Sequence, residues 1–484
     1  MDSVVQDQLD GYDPAYAFYI QDDWKVTPRL TVNYGMRYEL HPKFYDHDLN
    51  ISNFLPDYRT TTANGQSVLG AVVIPNGSQS ILSPLFAASI GATPVLTASQ
   101  AGLSQNLHYT NKTDIGPRAG FAWRATADGK TVIRGGYGRF IEIPLGSILG
   151  GGYAIHSANQ GFYNQSIVNG QPALTFPDPF PANLAQPGSQ FFQQASALHY
   201  KEGIVQQWNL TIERDLGFDT GLRLSYDGNH GSDLGVQVNL GQLAPNNIGF
   251  AAASKSLKYP DFGEVESEVN GGRQNYEAFT AALNKRFSRG VQFLASYTFS
   301  KNLSDAQSYN PSGFASEAGG IATYVNDFNI DYGNVAYTRR NRFLSTFLYQ
   351  LPFGRKGMLL TNANGLVDHL VGGWELAGVL VFQSGPFLTV TTPGADPSGT
   401  GFTQITGNGR ADIISGVSLY PAVRTTSQWL NPAAFAVPPN NVGRFPTSAV
   451  GIANGPGIQS VSLSLMKAIA FTERLHFSVG APSR

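Results

Sequence analysis

Few residues in this chain are grouped as chemistry would require. The stretch HPKFYDHDLN, residues 41–50, brings His41, Asp46, His47 and Asp48 close together. Imidazole and carboxylate at short spacing are the donors of a zinc-type site. With eight histidines in 484 residues and a loop-like setting, chance proximity is the better reading. DPSGTGFTQITGNGR, residues 396–410, is polar and glycine-rich but lacks the clustered acidic ligands that calcium needs. No HExxH, nucleophile elbow, P-loop or dinucleotide fingerprint occurs. The expectation is a protein that is not an enzyme, with no catalytic residue, cofactor or metal. The remaining candidates are cations: Arg37, Arg118, Arg134, Arg223 and Arg286. They could meet a ligand. The favoured reading pairs them across strands with the carboxylates Glu39, Asp227 and Glu277.

Strands must position these residues. In RLTVNYGMRYEL, residues 29–40, Leu30, Val32, Tyr34, Met36, Tyr38 and Leu40 alternate with Arg29, Thr31, Asn33, Gly35, Arg37 and Glu39. Neighbouring residues of a strand point to opposite faces, so one face is apolar and the other charged. Similar alternation predicts strands near 16–25, 117–126, 131–141, 204–215 and 220–228. Others fall near 275–287, 291–304, 339–350, 373–383, 458–468 and 473–480. VTP, TADG, GFDT and SRG are tight turns between partners. Long segments lie between those pairs, at 41–116, 142–203, 229–274, 305–338 and 384–457, with 352–372 of intermediate length. From Thr60 to Asn111 there is no charged side chain, and from Pro144 to Tyr200 only Asp178. These segments read as loops, 81–103 included.

An alternating strand fits a soluble sandwich or a membrane barrel. Keeping every long connection at one end favours the barrel, with short periplasmic turns and long extracellular loops. Charges that fall on the apolar faces, such as Asp22, Arg214, Lys285 and Lys301, sit near strand ends, where a membrane interface tolerates them. Trp24, Trp123, Trp208 and Trp374 fall on the same faces, mostly near an end, as in an interfacial aromatic belt. Leu30, Val32, Trp208, Leu210, Phe293, Trp374 and Leu380 are therefore predicted to face lipid. Arg37, Glu39, Arg118, Arg134, Arg223, Asp227, Glu277 and Arg286 are predicted to face the lumen.

The bulk numbers agree. A mean hydropathy of −0.15 suits strands that are half polar. No apolar run approaches the ~18 residues of a membrane helix. The net charge of −2 and the lack of a basic run give no sign of a nucleic-acid partner. Cysteine is absent, which excludes disulfides. The first ten residues, MDSVVQDQLD, have neither the positive start nor the apolar core of a signal peptide.

YAFYIQDDWKVTPRLTVNYGMRYEL, GPRAGFAWRATADGKTVIRGGYGRF, VQQWNLTIERDL, RRNRFLSTFLYQLPFGRKG, GGWELAGVLVFQSGPFLTV and SLSLMKAIAFTERLHF resemble, in order, the barrel of TonB-dependent receptors. The similar branch is the Oar-like one, which carries a carboxypeptidase-regulatory-like N-terminal domain. The resemblance implies an all-β fold: an antiparallel up-and-down outer-membrane β-barrel. Here it would be a partial barrel of about twelve or more meandering strands with long extracellular loops. Residues 1–484 would be one barrel domain without signal peptide, accessory domain, plug or final strand. The implied setting is the cell outer membrane of a Gram-negative bacterium. The implied partners are its lipid, a plug that the arginines could also touch, and the inner-membrane TonB energy-coupling complex. The implied work is ligand uptake. The alternative is a surface-exposed structural or adhesive barrel that binds glycans or neighbouring cells.

Overall fold

Twelve strands pair in chain order into one antiparallel sheet. They are β1 (Tyr16–Thr27), β2 (Leu30–Leu40), β3 (Asp114–Arg124), β4 (Thr131–Glu142), β5 (Gly203–Gly217) and β6 (Thr220–Asn239). There follow β7 (Phe262–Ser288), β8 (Val291–Ser304), β9 (Asn341–Gln350), β10 (Trp374–Gln383), β11 (Ile458–Ala470) and β12 (His476–Pro482). The computed structural model describes residues 10–83, 86, 90–142, 167–168, 170–172, 190–253, 257–306, 321–355, 357–402, 408–470 and 476–482. Among these, β1 and β12 each pair on one side only, so the meander does not close. Tight turns join β1 to β2, β3 to β4, β5 to β6 and β7 to β8, and all long connections leave from the opposite end. The β7–β8 turn is two residues, Arg289 and Gly290, with φ of 51° and 78°. Two left-handed residues match the twist of a hairpin, and the glycine takes that conformation without strain.

Register shows that the alternation is continuous across strands. Val32 lies opposite Trp24 on one side and Phe121 on the other. The row continues through Gly135, Leu210, Tyr226, Phe279 and Phe299. Leu30, Trp208, Phe293, Trp374 and Leu380 share that face. Much of it is exposed, Tyr34, Met36, Trp123, Leu210 and Phe279 among its residues.

Charges fence the apolar band at both ends. At the turn end, Lys285 Nζ reaches back to the Phe218 carbonyl at 2.7 Å, and Lys467 Nζ to that of Gly372 at 2.6 Å. At the loop end, Glu277 lies opposite Lys301 and accepts a hydrogen bond from the Tyr226 hydroxyl. From 277 to 285 along β7 spans about 26 Å at ~3.3 Å per residue, or about 20 Å of height at ~40° tilt. That is close to the apolar band of an outer-membrane barrel, ~25 Å.

The buried core lies elsewhere, in the connections. Asn53–Thr61 and Ser67–Ile74 form a hairpin, and Val95–Thr97 joins the second strand in parallel. Gln190–Ser196 runs parallel to the first residues of β7. Phe54, Val72, Ile74, Phe86, Phe262 and Val265 pack into one cluster. Phe44, Ile51, Leu55, Val73, Leu107 and Tyr200 form a second. Ala71, Val72, Val73 and Ile74 are all 0% exposed, so this strand is covered on both faces. The charge-free stretch predicted to be loop is therefore part of a folded cap.

Two other boundaries change. The segment 229–274 is mostly strand, because β6 runs to Asn239 and β7 begins at Phe262. The pairing shifts register between Gly231 and Gly235, a bulge placed where the strands leave the band. The connection 352–372 contains a short helix, Gly365–Val371, whose N-cap Asn364 accepts from the Val367 N–H.

If the exposed stripe meets hydrocarbon, charge should be costly on one face and tolerated on the other. Leu210→Arg should weaken refolding into lipid vesicles by about 2–4 kcal/mol, and Asn209→Arg, next to it on the opposite face, by about 1 kcal/mol or less. Urea-dependent folding into vesicles measures both.

Candidate functional site

The polar face of β2–β5 has a glycine floor. Gly35 lies opposite Arg118, and Gly120 lies between Asn33 and Gly136. A Cβ at Gly120 would clash with Asn33 Oδ1, so a side chain there would displace the asparagine. Arginines stand around this floor. Arg37 Nε donates to Glu39 Oε1 at 2.7 Å within β2. Arg134 Nη1 lies 2.9 Å from Glu213 Oε2 across the β4–β5 pair. Arg118 stacks on the Phe140 ring at 4.5 Å. Among the described residues, no carboxylate lies within salt-bridge reach of Arg118, Arg223 or Arg286.

Above this wall, strand ends and cap share a polar network. His108 joins three segments: Nδ1 donates to the Asn106 carbonyl at 2.7 Å, and Nε2 accepts from Ser196 Oγ at 2.6 Å and faces Asn53 Nδ2 at 3.2 Å. Burial pulls its pKa down to about 4, which keeps the ring neutral. Lys43 forms a buried ion pair with Glu202. The first residues of β7 stand above the apolar band and carry Glu264, Glu266 and Glu268. Burial, with the charge of Glu266 adding to it, pushes Glu264 up to about 7 and Glu268 up to about 8. Neither oxygen of Glu268 has a hydrogen-bond partner, so ionising it is costly.

One sheet therefore has a continuous exposed apolar stripe, a glycine–arginine wall behind it, and a folded cap at one end. A family model described as outer membrane beta barrel domain matches residues 3–481. The chain belongs to this family. It is an outer-membrane protein. Solved structures similar at low identity include three outer-membrane proteins. One is the outer membrane transporter YddB from Escherichia coli, at 9% identity and TM-score 0.44, covering 98% of this chain and 50% of that one. Another is the ferripyoverdine receptor of Pseudomonas aeruginosa, at 10% identity and TM-score 0.39, covering 98% and 34%. A third is the copper transporter OprC, at 9% identity and TM-score 0.37, covering 97% and 42%. The chain spans about half the length of these proteins or less. No curated protein matches the sequence.

Within the barrel sheet, Arg37, Glu39, Arg118, Arg134, Arg223, Asp227 and Arg286 fall on the face opposite the stripe. Glu277 does not. It lies between Gly228 and Lys301 on the face of Phe279, two residues away, so its predicted place beside the arginines is corrected. The carboxylate beside Arg134 is Glu213, which also lies opposite Arg223, whereas Asp227 lies opposite Asn209. The quartet of 41–48 does not assemble. Asp46 accepts from the backbone N–H of Asp10 and Asn50, and His47 packs edge-on against Tyr12 and Tyr45. Sequence reasoning missed Glu202, Lys43 and Asp114, which meet only when distant strand ends converge, and His108, which meets Asn53 and Ser196 from other segments.

The buried glutamates give the cap a pH dependence. An acid with a raised pKa keeps its proton in the folded state after the unfolded chain has lost it. Stability therefore falls as pH rises from about 4.5 through about 8. Amide exchange at Val72–Ile74, corrected for intrinsic rates, should speed up between about pH 6.5 and about pH 8, by up to about tenfold per unit for each glutamate still protonated in the folded state. That range lies above the titration of His108, and Glu268→Gln should flatten the slope.

Proposed function

We propose that this chain forms the wall and outer cap of a receptor that takes up a scarce anionic ligand across the outer membrane. In this reading the long connections face outside, and the glycine–arginine face looks into the barrel. A plug domain gates the lumen, and an inner-membrane TonB complex supplies energy, as the resemblance to TonB-dependent receptors implies. The observation that carries the reading is the wall itself. Among the described residues, Arg118, Arg223 and Arg286 have no carboxylate within salt-bridge reach and lie on the face away from the apolar stripe, Arg118 beside the glycine floor and Arg223 across from Glu213. A surface that only had to be wetted would not need guanidinium groups without salt-bridged partners. They suit a carboxylate or phosphate, on a ligand or on the plug. The protein acts here as a conduit and not as an enzyme.

The adhesive alternative relied on long uncharged connections displayed for binding. The connection between β2 and β3 instead spends its apolar residues on the cap core.

Depletion of medium tests the proposal. Cells with the full-length protein, cells without it, and cells lacking TonB are grown in complex medium, and the spent media are compared by mass spectrometry. An anionic compound should disappear only where both the protein and TonB are present. Arg118→Ala with Arg223→Ala should slow its loss about tenfold or more, since a hydrogen bond to a charged group contributes roughly 1.5–3 kcal/mol. Equal depletion with and without TonB would contradict energised uptake.

A further inference from the structure

Three strand ends meet at the loop-side rim. His41 follows β2, Asp114 opens β3, and Glu202 precedes β5. One donor atom from each lies within 4.8 Å of the other two, and all three residues are buried. His41 is 4% exposed, Asp114 2% and Glu202 1%.

Two of these donors are unsatisfied. His41 Nδ1 and Asp114 Oδ2 have no hydrogen-bond partner and face each other at 4.0 Å. That is too long for a hydrogen bond. A tetrahedral ion with bonds of ~2.0–2.2 Å holds two of its donors ~3.3–3.6 Å apart, so the pair needs to close by only about half an ångström to share one. The other side of the imidazole is held. His41 Nε2 lies 3.2 Å from Glu39 Oε2, and Glu39 is held in turn by Arg37 Nε at 2.7 Å. A proton fixed on Nε2 by Glu39 leaves the Nδ1 lone pair aimed into the gap, the carboxylate–histidine arrangement that orients ligating imidazoles. Asn111 Nδ2 donates to Asp114 Oδ1 at 2.6 Å and to Glu202 Oε2 at 3.2 Å, which holds the two carboxylates side by side. Lys43 neutralises part of their charge through Glu202.

We propose that His41, Asp114 and Glu202 bind one divalent cation of the zinc class. One imidazole with two carboxylates suits zinc or cobalt better than magnesium or calcium, which prefer all-oxygen shells. The ion ties the loop-side ends of β2, β3 and β5 together beneath the cap, with Arg37 and Glu39 as positioning residues.

The test uses the full-length protein in detergent, stripped with a chelator and titrated with zinc chloride alone by calorimetry. Cobalt chloride serves as a spectroscopic probe. One zinc per chain should bind, and cobalt should give visible d–d absorption. His41→Ala and Asp114→Asn should each abolish binding or weaken it by tenfold or more. Glu39→Gln should weaken it by about 10–100-fold, as for other partners of a ligating histidine. His47→Ala, which alters an imidazole outside the cluster, should leave binding unchanged. Heat-modified gel mobility reports whether each variant is folded, so loss of binding in a folded variant supports the site. Absence of stoichiometric zinc binding, or binding unaffected by His41→Ala and Asp114→Asn, overturns it.

Discussion

A strand in hydrocarbon has only its neighbouring strands to satisfy its backbone N–H and C=O groups. The rest of this structure follows from that constraint. Pairing fixes every strand against the next, and the two-residue period then sends alternate side chains to opposite sides. Each strand must therefore be apolar at every second position across the band and is free at the others. The free positions hold the glycines and arginines. Where the strands rise above the band, water can satisfy the backbone again. There the chain builds a conventional core from residues the sheet cannot bury. The protein thus has two apolar surfaces with opposite fates, one exposed on the sheet and one enclosed in the cap.

The part of the fold governed by the two-residue period was legible in the sequence. Trp208, Leu210 and Ile212 and their register partners follow it strictly, so strand order and turn positions emerge from counting. The family rests on the domain match over residues 3–481, and the membrane location agrees with that pattern. The cap was not legible for a physical reason. A strand buried on both faces, such as Ser67–Ile74, shows a continuous apolar run without alternation, and its flanks lack charge. The upper parts of β6 and β7 were hidden by the glycines and the bulge at 231–235, which interrupt the pattern where the strands bend. Glu277 was different. Its parity with Phe279 was available from counting, but its charge suggested the lumen.

The rim network lies beyond the reach of local spacing. His41, Asp114 and Glu202 are brought together by the pairing of β2 with β3 and the passage of β5 beside β4, and no short motif links them. His108 and Ser196 meet for the same reason, across two long connections. Buried polar groups of this kind cost stability unless each finds a partner. The orphaned atoms of the rim and of Glu268 are thus the places where the molecule departs from simple economy. The apolar stripe and the glycine–arginine wall, by contrast, each follow directly from the period.

The central claim is that the apolar face of the sheet meets lipid while the opposite face lines an aqueous interior. Spin labels placed singly from 206 to 213 in the protein reconstituted in bilayers test it most directly, by collision with oxygen and with a water-soluble nickel complex. The account predicts an oxygen-accessibility period of two residues, with maxima at Trp208, Leu210 and Ile212 and nickel-complex maxima at Gln207, Asn209 and Thr211. The reverse phase, or no alternation, would contradict it.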